Sequence, residues 1–320
     1  MDMSTIDLCN RGMGWMRSTC MQPTVLSFCT GGEVFCSSML LKSAISRSED
    51  DLFRSHFVRD LVQCSMSAEP HASYPSSKSV PKTIIQFWDN PSAIPNDVSR
   101  CMESWHQVRH EGLSLTCFDD SSARRFIANN LESRHVRALD ACYHPAMRSD
   151  YFRLCYIGLF GGCYIDADDA YSGETLDPVF ADGRLKLHPL CYDALSGGMV
   201  PQNVFTKRGA NSQNWIFYFN NNPLIAPPQH PIVLRALERS TSILNEMTSD
   251  DLPEIQSTTG PGNLTASVVA HAMICRGFDL GALMTMLDWE RFATTVWPLS
   301  YRIDARNWRL SNKQPFTPLR

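Results

Sequence analysis

The chain has 320 residues, of which 43% are hydrophobic and 19% are charged, and its formal net charge is −4. This is the composition of a globular protein with enough apolar residues for a core, and the lack of any Lys/Arg run argues against nucleic acid as the main partner. The 12 cysteines are scattered singly, without a C-x-x-C pair. That spacing favours reduced thiols over a disulfide framework or a zinc site.

The first part of the chain differs in character from the rest. Residues 1–79 are rich in Ser, Cys and Met with weak periodicity, and we interpret them as an accessory or partly disordered region with one amphipathic helix at 52–66. The best candidate for a transmembrane segment, 24–41, is interrupted by two glycines and a glutamate, so we expect no membrane span. The absence of a basic region before an apolar core predicts no secretory signal peptide. We therefore expect a cytoplasmic protein, or one delivered by a non-classical secretion route.

The folded domain is predicted to span residues 80–320 and to open with a strand. Thr83–Phe87 is apolar and β-branched, and Trp88 follows it. Because ligand crevices of α/β sheets open where strands end, Trp88 is either a ring that stacks on a ligand or a core residue. A regular alternation follows, with a predicted helix, strand and helix at 98–108, 113–118 and 121–131. It indicates an α/β fold with a mostly parallel central sheet flanked by helices.

The most informative stretch of the sequence is a helix followed by a strand and a cluster of carboxylates. Apolar residues from Pro145 to Phe160 recur at helical spacing, Pro suits the first turn, and Gly161-Gly162 predicts the end of the helix. Cys163–Ile165 then predicts a short buried strand. Side chains two apart on a strand share a face, so we expect Asp166 and Asp168 to point the same way.

Two adjacent carboxylates are unfavourable unless a cation lies between them. A hard divalent ion, Mg²⁺ or Mn²⁺, suits Asp166 and Asp168, with water and a substrate diphosphate completing its shell. The alternative is an acidic turn that caps the next element.

On the preceding helix, Asp150 and Arg153 are three residues apart and therefore neighbours. They form either a structural ion pair or, beside a metal site, a pair that holds the hydroxyls of a bound sugar.

The combined block resembles a known family. Ser149-Asp150-x-x-Arg153, followed at 156–168 by Tyr-x-Gly-Leu-Phe-Gly-Gly-x-Tyr-x-Asp-x-Asp, is similar to the central block of the DXD sugar transferases, glycosyltransferase family 32. This family includes initiating mannosyltransferases and capsular polysaccharide transferases, and it is related to the large glucosylating toxins. The resemblance extends over about residues 80–308 and is dense at 148–169. It implies a GT-A fold, the Rossmann-like fold of nucleotide-diphospho-sugar transferases.

The resemblance also implies roles for individual residues. Trp88, at the end of the opening strand, would stack on the nucleotide base. Asp150 and Arg153 would orient the sugar, and Asp166 and Asp168 would hold Mn²⁺ or Mg²⁺ and take part in binding the donor. These residues are the predicted catalytic and metal-binding set.

Two further segments match the family between the carboxylate cluster and the C-terminus. In the family an Asn-containing strand leads to a small-residue turn and a His-Pro, and here Asn222 is the candidate contact to sugar or acceptor; simple turn chemistry explains an Asn run equally well. Thr259-Gly260-Pro261 resembles a family turn before a helix. That turn is either a wall of the site or an ordinary helix entry.

The C-terminal part of the resemblance departs from the family pattern. Trp308 lies roughly where the family has its closing Trp, a donor-binding position. Many members place a His shortly before that Trp as a metal ligand, but no His follows His271 in this chain. Asp304 or Asn307 is therefore expected to supply an oxygen ligand instead, which suits Mg²⁺ or Mn²⁺.

The resulting prediction is a metal-dependent, retaining glycosyltransferase. It would move a hexose from a nucleotide-diphosphate sugar, with UDP favoured over GDP, to a glycan, lipid-linked or protein acceptor. The metal would offset the charge of the departing diphosphate. Three alternatives stay open: a non-catalytic nucleotide-sugar or partner-binding protein on the same fold, an effector-like enzyme that modifies a protein, and, ranked below these, a metal-dependent phosphoesterase.

Overall fold

A computed structural model of the chain describes residues 44–65, 79–248, 252–275, 280–314 and 316. Within these residues the labelled helices are α1 Asp51–Ser65, α2 Asn96–Ser104, α3 Asp120–Asn130, α4 Ser133–Ala141, α5 Pro145–Phe160, α6 Asp177–Phe180, α7 Gln202–Phe205, α8 Pro231–Glu246, α9 Ile255–Thr258, α10 Pro261–Ile274, α11 Leu280–Leu283 and α12 Trp308–Ser311. The strands are β1 Thr83–Phe87, β2 Ser114–Phe118, β3 Gly162–Tyr164, β4 Asp169–Tyr171, β5 Leu185–Asp193, β6 Gly198–Met199, β7 Trp215–Ala226, β8 Met284–Met286 and β9 Ala293–Thr295. Predictions for residues 1–43 and 66–78 lie outside this range. No helix in the described residues is long and apolar enough to cross a membrane.

The described strands form a central sheet in the order β2-β1-β3-β7-β5-β6, with β8 also paired to β5, and a separate β4-β9 pair. β1 is parallel to both β2 and β3, and β8 is parallel to β5. β7 runs antiparallel to both β3 and β5, and β6 is antiparallel to β5. The predicted α/β class with a central sheet between helices is confirmed. The sheet is mixed rather than mostly parallel, because the long strand β7 is inserted between β3 and β5 in the opposite direction.

The central helix α5 begins and ends at the predicted residues. The side chain of His144 accepts a hydrogen bond from the Ala146 amide at 3.0 Å and so caps the first turn, where Pro145 lacks an N–H. Tyr151, Phe152 and Leu154 of this helix are fully or almost fully buried in the main core cluster. This packing holds the helix against the sheet with its Asp150–Arg153 turn close to the end of β3.

Helix α1 belongs to the same core as the sheet. Val58 and Val62 are fully buried in the main core cluster, and the Ser55 hydroxyl accepts a hydrogen bond from the Phe217 amide of β7 at 3.0 Å. Gln63 donates to the Phe205 carbonyl at 3.0 Å. The compact body therefore begins before residue 80, where we had expected the domain to start. The predicted helix itself is confirmed at Asp51–Ser65.

The end of α5 requires glycine. Gly161 has φ of +69°, a conformation that L side chains rarely adopt, and a Cβ there would lie 2.7 Å from both the backbone nitrogen and Cδ of Pro228. The positive φ and the steric overlap both make any other residue at this position unfavourable. The overlap is not easily relieved, since the Pro228 backbone cannot move without shifting the chain that follows β7. The two-glycine stop is thus a packing requirement as well as a helix terminator.

We expect Gly161→Ala to lower the free energy of unfolding by about 3 kcal/mol, the sum of backbone strain and steric overlap. Urea denaturation followed by circular dichroism measures this change. Gly112→Ala is the control for a glycine of positive φ without steric overlap: φ is +76° and ψ is 19° there, and no atom lies within 4 Å of the new Cβ. It should lose about 1 kcal/mol, the strain of a left-handed helical conformation, which is smaller than the strain at Gly161, where ψ is −168°. Equal losses in the two variants would contradict the role assigned to Pro228.

Candidate functional site

The predicted carboxylates lie at the carboxyl end of the two central parallel strands. Ile85 of β1 pairs with Tyr164 of β3, so the two strands end at the same edge of the sheet. Asp166 and Asp168 lie in the turn between β3 and β4, where the Asp166 carbonyl accepts from the Asp169 amide at 3.3 Å. The expectation that they share one face of a strand was therefore wrong, because the strand ends at Tyr164. This edge is where α/β sheets usually bind ligands.

A buried arginine joins Asp166 to the helix that precedes it. Arg153 is 3% exposed, and its Nη2 lies 3.0 Å from Asp150 Oδ1 and 2.8 Å from Asp166 Oδ1. Its Nη1 donates to the Asn221 carbonyl at 2.8 Å, and its guanidinium lies 4.1 Å from the centroid of the Tyr164 ring. Thus the structure brings together three of the predicted residues, Asp150, Arg153 and Asp166, in one hydrogen-bonded cluster.

Asp150 is held on both of its oxygens. The Asn221 side chain donates to Oδ1 at 2.8 Å and the Thr259 hydroxyl donates to Oδ2 at 3.4 Å. Burial raises the pKa of Asp150, although Arg153 and these two donors lower it. A Cβ on Gly260 would lie 3.3 Å from Asp150 Oδ2. The Thr-Gly-Pro turn therefore packs directly against the predicted sugar-binding carboxylate, besides opening helix α10.

Asn222 holds the carboxylate turn in place from the neighbouring strand β7. Its Oδ1 accepts from the Asp166 amide at 2.9 Å, and its Nδ2 donates to Asp169 Oδ2 at 2.9 Å. Asn222 is 5% exposed. We predicted it as a contact to sugar or acceptor; in the structure its amide group contacts the protein's own carboxylate turn.

Asp169 is a buried carboxylate that we did not single out. It is fully buried, and besides Asn222 it accepts from Trp289 Nε1 at 2.9 Å and from the Thr295 hydroxyl at 2.7 Å. Burial raises its pKa, while these three donors lower it. Its role is structural, since it ties β4 to β9 and to the turn that carries Asp166 and Asp168. Its position directly after the Asp-x-Asp was the available signal in the sequence.

Asp168 is bound by a segment from the C-terminal part of the chain. The Tyr301 hydroxyl donates to Asp168 Oδ2 at 2.7 Å, and Arg302 forms an ion pair with the same oxygen. The Arg302 guanidinium also lies 3.4 Å from the centroid of the exposed Trp297 ring. Neither Tyr301 nor Arg302 was predicted. Sequence reasoning missed them because both lie more than 130 residues from Asp168, without a local pattern that links them to it.

Trp88 lies at the end of β1, as predicted, but it is covered. It is 8% exposed, packs in a cluster with Val98, Ala167 and Leu299, and meets the edge of the Tyr301 ring at a centroid distance of 5.6 Å. Its indole N–H has no hydrogen-bond partner among the described residues. For Trp88 to stack on a base, Tyr301 would have to move.

The C-terminal candidates make mainly local contacts. Asn307 Oδ1 accepts from the Arg309 amide at 3.1 Å and caps α12, and Asp304 Oδ1 accepts from the Arg306 amide at 2.7 Å. Trp308 is partly buried against the main core cluster. No group of three or more His, Cys, Asp and Glu side chains among the described residues is placed to hold a metal ion. A third metal ligand from Asp304 or Asn307 therefore stays a prediction.

The Asp166–Asp168 pair nevertheless fits a divalent cation. Among the described residues, no donor contacts Asp166 Oδ2 or Asp168 Oδ1, so one oxygen of each remains for a ligand. The pKa of Asp166 is raised to about 7, chiefly by burial and also by the neighbouring carboxylates Asp168, Asp169 and Asp150, against the lowering effect of Arg153. This excess of negative charge suits a hard cation that takes two protein carboxylates and completes its shell with water and substrate.

Comparisons with known proteins find similarity to a curated protein and to solved structures. No family model matches the chain. It is 26% identical over 90 residues to an uncharacterised glycosyltransferase of Acanthamoeba polyphaga mimivirus, a match that covers 28% of this chain and 36% of that protein. The chain thus spans about a third of the length of this curated relative. A solved structure, the PaToxG glycosyltransferase, has a TM-score of 0.41 and 15% identity, covering 73% of this chain and 79% of that one.

Proposed function

We propose that this protein is a metal-dependent glycosyltransferase of the GT-A type. It transfers a hexose from a nucleotide-diphosphate sugar, UDP-linked in preference to GDP-linked, to a glycan, lipid-linked or protein acceptor with retention of anomeric configuration. The observation that carries this proposal is the cluster of Asp150, Arg153 and Asp166 beside Asp168, at the shared end of β1 and β3. The similarity to the mimivirus glycosyltransferase over 90 residues supports the same activity class.

In this proposal the acidic turn binds the donor's diphosphate through a cation. Asp166 and Asp168 would hold Mn²⁺ or Mg²⁺, because each has one oxygen without a partner among the described residues. The cation, when bound, offsets the charge that develops on the departing diphosphate. Asn222 and Asp169 keep this turn in one position, since their hydrogen bonds fix both the Asp166 amide and the start of β4.

Asp150 and Arg153 orient the sugar. Arg153 is anchored by the Asn221 carbonyl and by both carboxylates, so its position is fixed before the donor arrives. Asp150 has a raised pKa and lies against the Thr259-Gly260 turn. A buried, pre-positioned carboxylate and guanidinium are suited to hydrogen bonds with sugar hydroxyls, and such pre-organisation lowers the barrier to transfer. We assign no catalytic base.

A panel of UDP- and GDP-sugars with Mn²⁺ tests the proposal. We expect one donor to release its nucleotide in a reaction that stops when a chelator removes the metal, and binding of the same donor to be measurable by calorimetry. The control is Asp140→Asn, which removes a carboxylate from an exposed ion pair with Arg124 and should leave the rate unchanged.

Two results of the panel would count against the proposal. Donor binding without turnover, even with glycan, lipid-linked and protein acceptors added, would favour the non-catalytic nucleotide-sugar-binding protein. Failure of every donor to bind would reject the assignment altogether.

A further inference from the structure

The segment 297–307, which we term the C-terminal strap, covers the carboxylate that the proposed cation would use. Through Tyr301 and Arg302 the strap makes two contacts with one oxygen, Asp168 Oδ2. Tyr301 also places its ring edge against Trp88, 5.6 Å between centroids. A positively charged side chain of the protein therefore already neutralises Asp168.

Arg302 depends on Asp168 for its own stability. Its side chain is 12% exposed, and Asp168 is the carboxylate with which it pairs among the described residues. Its Nε is buried and has no hydrogen-bond partner there. If a divalent cation bound Asp168 in the absence of another anion, it would compete with Arg302 for the charge of that carboxylate. The guanidinium would then be mostly buried without a full counter-charge, which is strongly unfavourable. The strap thus opposes binding of the cation by itself.

The surroundings of Arg302 offer it no second carboxylate but would suit an anionic ligand. The Arg309 guanidinium lies 5.8 Å from the centroid of the same Trp297 ring, and no described carboxylate pairs with it. Two guanidinium groups therefore share one exposed aromatic ring beside the carboxylate turn. A phosphate group arriving at this place would find two cationic partners, and arginine binds phosphate in the same paired geometry as carboxylate.

We propose that Arg302 competes with the divalent cation for the charge of Asp168 until the donor binds, and then transfers its ion pair to the donor's diphosphate. This inference rests on the proposed function and adds a coupling to it. A cation on the free oxygen of Asp168 would weaken the ion pair that Arg302 makes with the other oxygen, and the diphosphate would supply the anion that the guanidinium then needs. Cation and nucleoside diphosphate therefore bind cooperatively, each tightening the other by the same factor.

Titration of Mn²⁺, with and without UDP or GDP, tests the coupling. In the absence of nucleotide, Arg302→Gln should bind Mn²⁺ about tenfold more tightly than the wild type, because the competing charge is gone. Addition of the matching nucleoside diphosphate should tighten Mn²⁺ binding to the wild type by about fivefold or more, and this gain should be smaller in Arg302→Gln, where only direct ligation of the cation by the diphosphate remains. Isothermal calorimetry or electron paramagnetic resonance of free Mn²⁺ gives these constants without turnover.

Two further variants make the test specific. Arg302→Lys keeps the charge and should retain the competition, so its affinity for Mn²⁺ alone should resemble that of the wild type. Arg124→Gln removes the same charge from the exposed pair with Asp140 and should change neither constant. Melting temperatures of all variants identify any that do not fold. If Arg302→Gln does not fold, comparison of Arg302→Lys with the wild type still tests the role of the positive charge.

Several results would overturn the inference. Unchanged or weaker Mn²⁺ binding by a folded Arg302→Gln protein contradicts the competition. Equal tightening by nucleotide in both proteins contradicts the transfer to the diphosphate. If neither the wild type nor Arg302→Gln binds Mn²⁺, the cation site itself is rejected. A protein that shows the coupling but turns over no donor would instead contradict the proposed transferase activity and leave the role of Arg302 supported.

Discussion

Asp168→Asn is expected to lower the rate of nucleotide release from the donor by about 100-fold to 1,000-fold at saturating Mn²⁺. Asn keeps the shape of the side chain and an oxygen that can accept from Tyr301 and Arg302, but Arg302 loses the carboxylate with which it forms its ion pair. The substitution removes the negative charge, and without that charge the side chain is a much weaker ligand for a hard cation. We therefore expect the affinity for Mn²⁺ in the presence of nucleotide to fall together with the rate.

Initial rates of nucleotide release over a range of Mn²⁺ concentrations measure both effects. Asp140→Asn is the control for loss of one carboxylate, since Asp140 lies in an exposed pair with Arg124. The melting temperature should fall modestly, because the mostly buried Arg302 loses its charged partner. A folded Asp168→Asn protein with wild-type activity and wild-type Mn²⁺ affinity would contradict the metal-binding role of this carboxylate.

Arg153→Met should destabilise the protein by about 3 to 5 kcal/mol at neutral pH. Met has a similar volume and is apolar, but it leaves Asp150 and Asp166 without the buried cation that both contact. It also leaves the Asn221 carbonyl without its donor from Nη1. Urea denaturation gives the free energy of unfolding.

A second substitution separates the charge effect from lost packing. Because Arg153→Met leaves uncompensated carboxylates, adding Asp150→Asn should restore part of the stability, so the two changes are not additive. Single substitution of an arginine in an exposed pair, Arg124→Met, should cost less than about 1 kcal/mol. The side chains are not coupled if adding Asp150→Asn to Arg153→Met lowers the free energy of unfolding by as much as Asp150→Asn lowers it in the wild type.

The loss in Arg153→Met should also depend on pH. Burial raises the pKa of Asp150 in the folded protein, and removal of Arg153 takes away the charge that lowers it. A carboxyl whose folded pKa lies above its unfolded pKa destabilises the folded state at pH above the folded pKa. This penalty decreases as pH falls below the folded pKa and is gone below the unfolded pKa. The difference in unfolding free energy between wild type and Arg153→Met should therefore be smaller at pH 5 than at pH 8. A constant difference would indicate that lost packing, rather than charge, dominates.

Local signals in the sequence were sufficient for several elements. β1 at Thr83–Phe87 and α5 at Pro145–Phe160 were predicted to the residue, because an apolar β-branched run and a Pro-to-Gly-Gly frame each act within a few residues. The predicted helix at 98–108 instead ends as an α-helix at Ser104 and continues as a 3₁₀ helix to Glu111. Helix boundaries depend on tertiary packing as well as on periodicity, and here Trp105 and Val108 are drawn into the core.

Strand β7 shows where local reasoning fails. Its asparagine run was open to interpretation as a turn, yet the strand continues through it from Trp215 to Ala226. The run stays extended because its neighbours satisfy it: Asn220 pairs with His188 of β5, the Asn221 carbonyl accepts from Arg153, and the side chains of Asn221 and Asn222 donate to Asp150 and Asp169. A polar residue with several buried partners can overcome a low strand propensity, and those partners are distant in sequence.

The sequence by itself determined the compact block of the candidate site, since Asp150, Arg153, Asp166 and Asp168 lie within one helix, one strand and the following turn. Only the tertiary structure decided how these side chains are partnered. Asp169 is buried by Trp289 and Thr295, and Asp168 is bound by Tyr301, which is 133 residues away. Such pairs leave no periodic pattern in the sequence, because they are set by which surfaces the core brings together. The strap that covers the carboxylates could therefore be recognised only in the folded chain.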